Sequence, residues 1–295
     1  MKEQYNLHGL TTVNVELTSL CNKKCWMCGR RETEIKYPEL VQNWGHMDFE
    51  LVQKIANQLP PNIIVQLHNN GEPLLYPRFG EAVKLFERQI TGLDTNGKLL
   101  VEKADEIINN LDTITISIIE NDSESEEQYK TIEEFFKLKG DKNPYVTFRL
   151  NGNVDSARYK KFNAPIARRA IHAKLASVNY ESTPTIPEMG ICLDFLNHLS
   201  INKDGEVSTC VRFDPAKLGV IGNVRTQTIE EIWNSEKRMR WLEYHKKGQR
   251  DKMPLCKNCH YWGVPTSGNY EEKIEKLDEN DLVKELIDKK VRKKD

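Results

Sequence analysis

The chain has 295 residues, of which 38% are apolar and 29% are charged, a composition typical of a soluble globular protein with a sizeable core. The net charge of −1 excludes a global electrostatic attraction to nucleic acid or to anionic membranes. No basic N-terminal start followed by an apolar run occurs, and no stretch approaches the roughly 18 apolar residues of a membrane span. We therefore expect a cytoplasmic protein with neither a secretory signal nor a membrane anchor.

Short apolar strands and amphipathic helices alternate over the first 180 residues. Strands are predicted at 11–17, 63–68, 90–94, 113–119, 146–150 and 174–178, and helices at 49–59, 78–88, 102–110 and 124–138. Asp48 is the predicted N-cap residue of the first of these helices. This order is typical of a parallel sheet that forms a full or partial TIM-type α/β barrel, in which functional groups collect after the carboxyl ends of the strands. We assign residues 9–180 to it.

The pattern changes after residue 180, where 183–187 is a proline-rich linker. Residues 199–210 predict a β-hairpin with an Asp-Gly turn. Thr228 is predicted to begin a helix that continues through Leu242, with a capping box at its start. We assign 187–270 to a small second domain.

Residues 271–295 are highly charged and carry apolar residues at helical spacing. This pattern predicts an amphipathic C-terminal helix docked on the body of the protein, with a frayed end as the alternative.

All seven cysteines fall into two sets. Cys21, Cys25 and Cys28 follow the first predicted strand with the spacing C-x3-C-x2-C, and the second set is Cys192, Cys210, Cys256 and Cys259. In a reducing compartment such clustering favours metal binding over disulfides. Three thiolates can hold three irons of a [4Fe–4S] cluster and leave the fourth iron open to another molecule, and they can also bind zinc with a fourth ligand such as His46. Four thiolates suffice for one closed cluster or one zinc.

Polar groups also follow the later strands. Asn70-Gly71-Glu72-Pro73 comes after the second strand and Thr95-Asn96-Gly97 after the third, while Ser117 and Glu120 lie at the fourth and Arg149 on the fifth. Because the carboxyl ends of parallel strands meet at one edge, we expect these groups near the cysteine loop. Each taken singly also has a structural interpretation: a turn at 95–97, a solvated carboxylate at Glu72, a strand end at Glu120 and a structural arginine at Arg149.

The segment Cys-Asn-Lys-Lys-Cys-Trp-Met-Cys and the segment Asn-Gly-Glu-Pro resemble two motifs of radical SAM enzymes, with Asn70 in place of the first glycine of the second motif. The resemblance implies that S-adenosylmethionine chelates the open iron and is cleaved to a 5′-deoxyadenosyl radical. It implies a cofactor site of Asn70, Gly71, Glu72, Pro73, Thr95, Asn96, Ser117 and Arg149. In that site Gly71 and the local backbone accept the amino group, Asn96 and Ser117 bind the ribose, and Arg149 pairs with the carboxylate.

The hairpin, the helix and the Cys256-x2-Cys259 pair resemble the Twitch domain, the shortened relative of SPASM domains, which holds an auxiliary [4Fe–4S] cluster. The Cys192–Cys210 interval and residues 255–259 are also similar to radical SAM dehydrogenases that act on aminocyclitols. The resemblance therefore implies two clusters, one that binds S-adenosylmethionine and one auxiliary, with flavodoxin or ferredoxin as the reductant. The auxiliary cluster is interpreted as an electron acceptor, with an electron conduit and a structural role as alternatives.

An electron acceptor beside the substrate implies a two-electron dehydrogenation of a small aminocyclitol, sugar or nucleoside. Arg149 and Glu120 are the candidate bases, with His46 and His68 as further candidates. The alternative functions are a maturase that modifies a ribosomally made peptide and a zinc-binding interaction protein. The basic stretch 155–174 is interpreted as a solvated helix face, or as a site where Arg168 and Arg169 bind a phosphate or carboxylate of the substrate.

Overall fold

The computed structural model describes residues 6–169, 171, 191–211, 214–257 and 259. The predicted strand at 174–178, the linker at 183–187 and the C-terminal helix at 271–295 lie outside these residues. Within the described ranges, no helix combines the length and the apolar character that crossing a membrane requires.

The strands are β1 Thr12–Val15, β2 Ile64–Gln66, β3 Ile90–Thr95, β4 Thr113–Ile119, β5 Tyr145–Asn151, β6 Ile166–Arg169, β7 His198–Ile201, β8 Glu206–Ser208 and β9 Val220–Asn223. The helices are α1 Gly29–Lys36, α2 Pro38–Val41, α3 Phe49–Ala56, α4 Phe79–Leu85, α5 Ala104–Ile107, α6 Ser125–Lys139, α7 Leu193–Asn197, α8 Ile229–Trp233 and α9 Glu236–Lys246. Short 3-10 helices occupy Pro73–Leu75, Ala157–Phe162 and Arg250–Lys252.

These strands form one nine-stranded sheet in the order β6-β5-β4-β3-β2-β1-β7-β8-β9. All neighbours from β6 to β7 pair in parallel, whereas β7, β8 and β9 pair antiparallel. The predicted, mostly parallel α/β sheet is confirmed. Because β7 pairs directly with β1, with Val13 opposite Leu199, the C-terminal hairpin extends the barrel sheet.

The two faces of the sheet differ in polarity. Val13, Val15 and Val65 are fully buried in the apolar core, on the face where the helices pack. The opposite face, called here the polar face, carries Asn14, Glu16, Gln66, Asp94, Ser117, Arg149, Asn151, Arg169 and Ser200, which the strand registers place side by side. The side chains that follow β1, β2 and β3 therefore share one surface with the polar residues of β4 and β5.

Two local predictions about helices differ from the structure. The helix predicted from Thr228 through Leu242 is two helices, because Ser235 is extended and caps α9 by accepting from the Arg238 amide. The Thr228 capping box is present as predicted. Asp48 does occupy the N-cap position of α3, but its carboxylate makes no cap and instead pairs with Arg225 at 2.6 Å.

The basic stretch is not a helix face. It forms the 3-10 helix Ala157–Phe162 and then β6, which pairs with β5 at the edge of the sheet. Because strand residues alternate between faces, Arg168 and Arg169 point to opposite sides. Arg168 donates to the Val154 carbonyl and the Ser156 hydroxyl, both at 3.0 Å, while Arg169 is on the polar face.

Candidate functional site

The first cysteine set lies in the loop between β1 and α1, and Cys28 stands at the N-cap position of α1. The Cys28 amide donates to the Cys25 carbonyl at 3.2 Å, and all three thiols are partly buried. Burial and the neighbouring Cys28 and Cys21 thiolates raise the pKa of Cys25 to about 12. Three adjacent thiolates are thus unfavourable by themselves, and a metal core that deprotonates its ligands offsets the repulsion. The donor set fits an iron–sulfur cluster.

Two side chains of the loop anchor it to the segment after β4. Lys23 forms an ion pair with Asp122 at 2.5 Å, and the side chains are only 4% and 9% exposed. The Trp26 indole N–H donates to the Glu120 carbonyl at 3.0 Å. Both residues lie between the cysteines, so these contacts fix the position of the thiols relative to the sheet.

Gly71 lies directly beneath the cysteine loop. A Cβ at this position would lie 2.1 Å from the Thr18 carbonyl oxygen and 2.7 Å from that of Leu20. The amide of Glu72 donates to the same Leu20 carbonyl at 2.7 Å. The two loops therefore touch backbone to backbone, which explains why the second position of the Asn-Gly-Glu-Pro motif is glycine.

Glu72 joins the loops that follow β2 and β3. Its buried carboxylate accepts from the Thr95 hydroxyl and the Asn96 amide, both at 2.8 Å, and from the Leu74 amide at 3.2 Å. Burial raises the pKa of Glu72 to about 7. Pro73, also buried, begins the following 3-10 helix. This motif organises the site through the backbone contact of Gly71 and the carboxylate contacts of Glu72.

Asn96 is the predicted ribose ligand that lies nearest the cysteine loop. Its amide nitrogen donates to the Asn22 side-chain oxygen at 2.8 Å and lies 3.9 Å from the Cys21 sulfur. Ser117 and Arg149 are opposite each other in the β4–β5 register, on the polar face. The structure thus places the groups after β2, β3, β4 and β5 along one edge, and their roles as ligands stay predictions.

Asp94 is a polar-face residue that the sequence interpretation missed. Its carboxylate pairs with the Arg149 guanidinium across β4, and the His68 Nε2 atom lies 3.5 Å away. The Asp94 amide donates to His68 Nδ1 at 2.9 Å. Burial alone would raise the pKa of Asp94, but Arg149 and His68 outweigh it and the pKa is lowered. A sequence signal existed, because Asp94 is the only charged residue of β3 and lies two residues before Asn96.

The other candidate bases have structural contacts. The Glu120 carboxylate accepts from the Asn153 amide at 2.5 Å and lies against Gly152, where a Cβ would be 2.4 Å from Glu120 Cδ. The backbone of His46 forms a bridge with Thr18, and its ring packs edge-on against Tyr76. Neither side chain belongs to the group formed by Asp94, Arg149 and His68, and the catalytic role of Glu120 stays a prediction.

The second cysteine set gathers around the hairpin. The Cys192 amide faces His245 Nδ1 at 3.5 Å, and the Cys256 and Cys259 amides donate within one turn, to the carbonyls of Met253 and Cys256. Cys210 follows β8, and its amide donates to the Ser208 hydroxyl at 3.3 Å.

One close approach joins two segments of the second set. A Cβ at Gly219 would meet both Ser208 and Leu255, so the turn carrying Cys256 lies beside the end of β8. Nowhere in the described ranges do three cysteine, histidine or carboxylate side chains lie close enough to hold one metal ion. A four-iron cluster, with a thiolate on each iron, requires a wider spacing.

A cavity of about 340 Å³ lies beside the hairpin and the loops that follow β1 and β2. It is lined by Ser19, Arg30 and Asn70, which are close in sequence or in contact with the cysteine loop, and by Ser208 and Cys210. Among the described residues, Cys210 is the only cysteine that lines this polar space.

Sequence comparisons find proteins that are similar to most of the chain and a family that matches its C-terminal part. The SPASM family, described as an iron-sulfur cluster-binding domain, matches residues 192–260. The S-adenosyl-L-methionine-dependent 2-deoxy-scyllo-inosamine dehydrogenase of Niallia circulans is 25% identical over 268 residues, which cover 88% of this chain and 96% of the relative. A tungsten-containing aldehyde ferredoxin oxidoreductase cofactor-modifying protein of Pyrococcus furiosus is 21% identical, over 83% of this chain and 86% of the relative.

Solved structures show the same fold. BtrN in complex with AdoMet and 2-DOIA matches with a TM-score of 0.54 and 21% identity, over 89% of this chain and 98% of BtrN. Streptococcus suis SuiB bound to S-adenosylmethionine matches with a TM-score of 0.58 and 14% identity, over 92% of this chain and 79% of SuiB. The predicted fold, a mostly parallel α/β sheet followed by a SPASM-type region, is confirmed.

Proposed function

We propose that this chain, which is a radical SAM oxidoreductase with a C-terminal Twitch-like domain, carries out a two-electron dehydrogenation of a small aminocyclitol, sugar or nucleoside. The main support for this function is the similarity to a dehydrogenase over 88% of the chain, which spans both assigned domains. The SPASM match, from 192 to 260, spans all four C-terminal cysteines.

We assign one [4Fe–4S] cluster to each cysteine set, with Cys21, Cys25 and Cys28 as ligands of the first and Cys192, Cys210, Cys256 and Cys259 as ligands of the second. With S-adenosylmethionine bound and one electron added, the first centre would supply a 5′-deoxyadenosyl radical for hydrogen abstraction. The chain's own part is to position S-adenosylmethionine. Gly71 allows the close approach of the two loops, and Glu72 holds the Asn96 amide in place.

A dehydrogenation removes a hydrogen atom, an electron and a proton from the alcohol. Cys192, Cys210, Cys256 and Cys259 would hold the group that takes the electron, and a side chain beside the substrate would take the hydroxyl proton. Of the two predicted bases, Arg149 lies on the polar face and the Glu120 carboxylate already holds the Asn153 amide. Because a guanidinium stays protonated in proteins, Arg149 would bind the hydroxyl oxygen, and a carboxylate, that of Asp94 or Glu120, would accept the proton. Asp94 would keep Arg149 oriented across β4. A flavodoxin or ferredoxin reductant stays part of the prediction.

The experiment is an anaerobic turnover assay with reconstituted protein, S-adenosylmethionine, reduced flavodoxin and a panel of aminocyclitols, sugars and nucleosides. We expect equal amounts of 5′-deoxyadenosine and of the oxidised product. Cys192→Ser should still form 5′-deoxyadenosine and lose the oxidised product if the auxiliary cluster accepts the electron. Retention of both products would assign that cluster a structural role. Oxidation of a peptide substrate alone would favour the maturase alternative, and absence of 5′-deoxyadenosine would refute the proposed function.

A further inference from the structure

We propose that Arg30 is the counter-charge of the S-adenosylmethionine-binding cluster and raises its reduction potential. This role depends on the ligand set proposed above, Cys21, Cys25 and Cys28. The guanidinium would act through its fixed positive charge, as a positioning residue that does not touch the reacting atoms.

Arg30 is a buried cation. The residue is only 4% exposed. Among the described residues, no carboxylate lies within ion-pair distance of its guanidinium. Its donors reach carbonyls instead, those of Ser19 and Asn70, and its Nε atom has no hydrogen-bond partner. The next residue, Arg31, is by contrast paired with Glu34 at 2.6 Å. A buried charge without a counter-ion is costly unless hydrogen bonds offset the cost, so the case for an anionic partner depends on what lies beside the guanidinium.

The anionic partner that the geometry offers is the cysteine loop. Arg30 is in the first turn of α1, two residues after Cys28, and its guanidinium stacks on the Trp44 ring at 3.6 Å. The Arg30 guanidinium donates to the carbonyl of Ser19, which lies two residues before Cys21. The contacts to Ser19 and Asn70 also fix it between the cysteine loop and the Asn-Gly-Glu-Pro loop.

A fixed cation in this position favours the reduced cluster. Reduction adds one negative charge to a centre that already carries three thiolates, and a buried positive charge stabilises the added charge more strongly than an exposed one. The potentials of iron–sulfur clusters depend on net charge and on hydrogen bonding around the sulfurs. Removal of the Arg30 charge should therefore make this cluster harder to reduce.

The test is an EPR-monitored redox titration of the reconstituted holoenzyme, using the signal that changes when S-adenosylmethionine is added. We expect Arg30→Met to lower the ratio of reduced to oxidised cluster about tenfold at a fixed potential, which is a midpoint lower by about 59 mV for one electron. Arg30→Lys keeps the positive charge but loses the planar guanidinium that stacks on Trp44. The midpoint potential of the cluster in this variant should remain near that of the wild type.

Arg238→Met is the matched control. Arg238 is 3% exposed, stacks on Trp233 at 3.2 Å and donates to two carbonyls, as Arg30 does, but it lies on α9. Its loss should reduce stability and leave the midpoint of the S-adenosylmethionine-binding cluster unchanged.

Three results would overturn the role of Arg30. They are an unchanged midpoint in Arg30→Met, an equal shift in Arg30→Lys, and an Arg30→Met protein that holds no iron in this centre. A wild-type protein without a cluster that responds to S-adenosylmethionine would refute the proposed function itself, so the two failures can be told apart.

Discussion

Replacing Gly71 by alanine should disrupt the candidate site through a purely steric effect. The added methyl group would lie 2.1 Å from the Thr18 carbonyl oxygen and 2.7 Å from that of Leu20, and both atoms are backbone atoms that cannot rotate away. Overpacking of this kind costs about 1–3 kcal/mol. Separation of the loops also breaks the Glu72 amide to Leu20 carbonyl hydrogen bond, worth about 0.5–1.5 kcal/mol. We expect a loss of about 2–4 kcal/mol in unfolding free energy.

Urea unfolding measures this loss of unfolding free energy. Calorimetric titration of the reconstituted protein measures its affinity for S-adenosylmethionine, and this affinity should fall at least about tenfold. Gly45→Ala is the control, because Gly45 contacts the same loop through Ser19 but a Cβ there meets nothing within 4 Å. That variant should be neutral or slightly stabilised. If Gly71→Ala and Gly45→Ala unfold alike and bind S-adenosylmethionine equally, the close approach of the two loops is not important.

Three further results are expected. Glu16→Ala should lower the unfolding free energy by about 2 kcal/mol or more, because the buried Glu16 carboxylate accepts from the Asn70 and Lys203 amides. Burial raises the pKa of Glu72 to about 7, so its contribution to the unfolding free energy should fall as pH rises from 4.5 to about 7. Burial also lowers the pKa of His198 to about 4, which acts in the opposite direction, so the Glu72 contribution is the difference between the wild type and Glu72→Gln in urea unfolding at several pH values. Cys192→Ser should lower the iron content by about four per chain, measured by a colorimetric iron assay.

Local sequence patterns predicted most strands, because buried strands and amphipathic helices have different apolar periods. They did not predict that β7 pairs with β1, since that contact joins residues nearly 190 positions apart and leaves no local signal. The same limit applies to β6, where Ile166–Arg169 is too short and basic to be read as a strand and forms one only because the edge of β5 is available. The break between α8 and α9 had a signal in Ser235, a favourable N-cap residue inside the predicted helix.

The candidate site also contains some features that the sequence predicted and others that it did not. The cysteine spacing and the Asn-Gly-Glu-Pro motif identified the two loops, and the structure explains the motif by the contact of Gly71 with Thr18 and Leu20. Contacts between side chains on different strands were not predictable. Asp94 meets Arg149 across an intervening strand, and this pairing depends on a register that only the folded sheet defines.

The iron content of anaerobically reconstituted protein tests the two-cluster account most directly. We expect about eight irons per chain in the wild type and about four when Cys21, Cys25 and Cys28 are all replaced by alanine. Replacement of Cys192, Cys210, Cys256 and Cys259 should also leave about four irons, with S-adenosylmethionine still bound. Two zinc ions per chain and no iron would contradict the account.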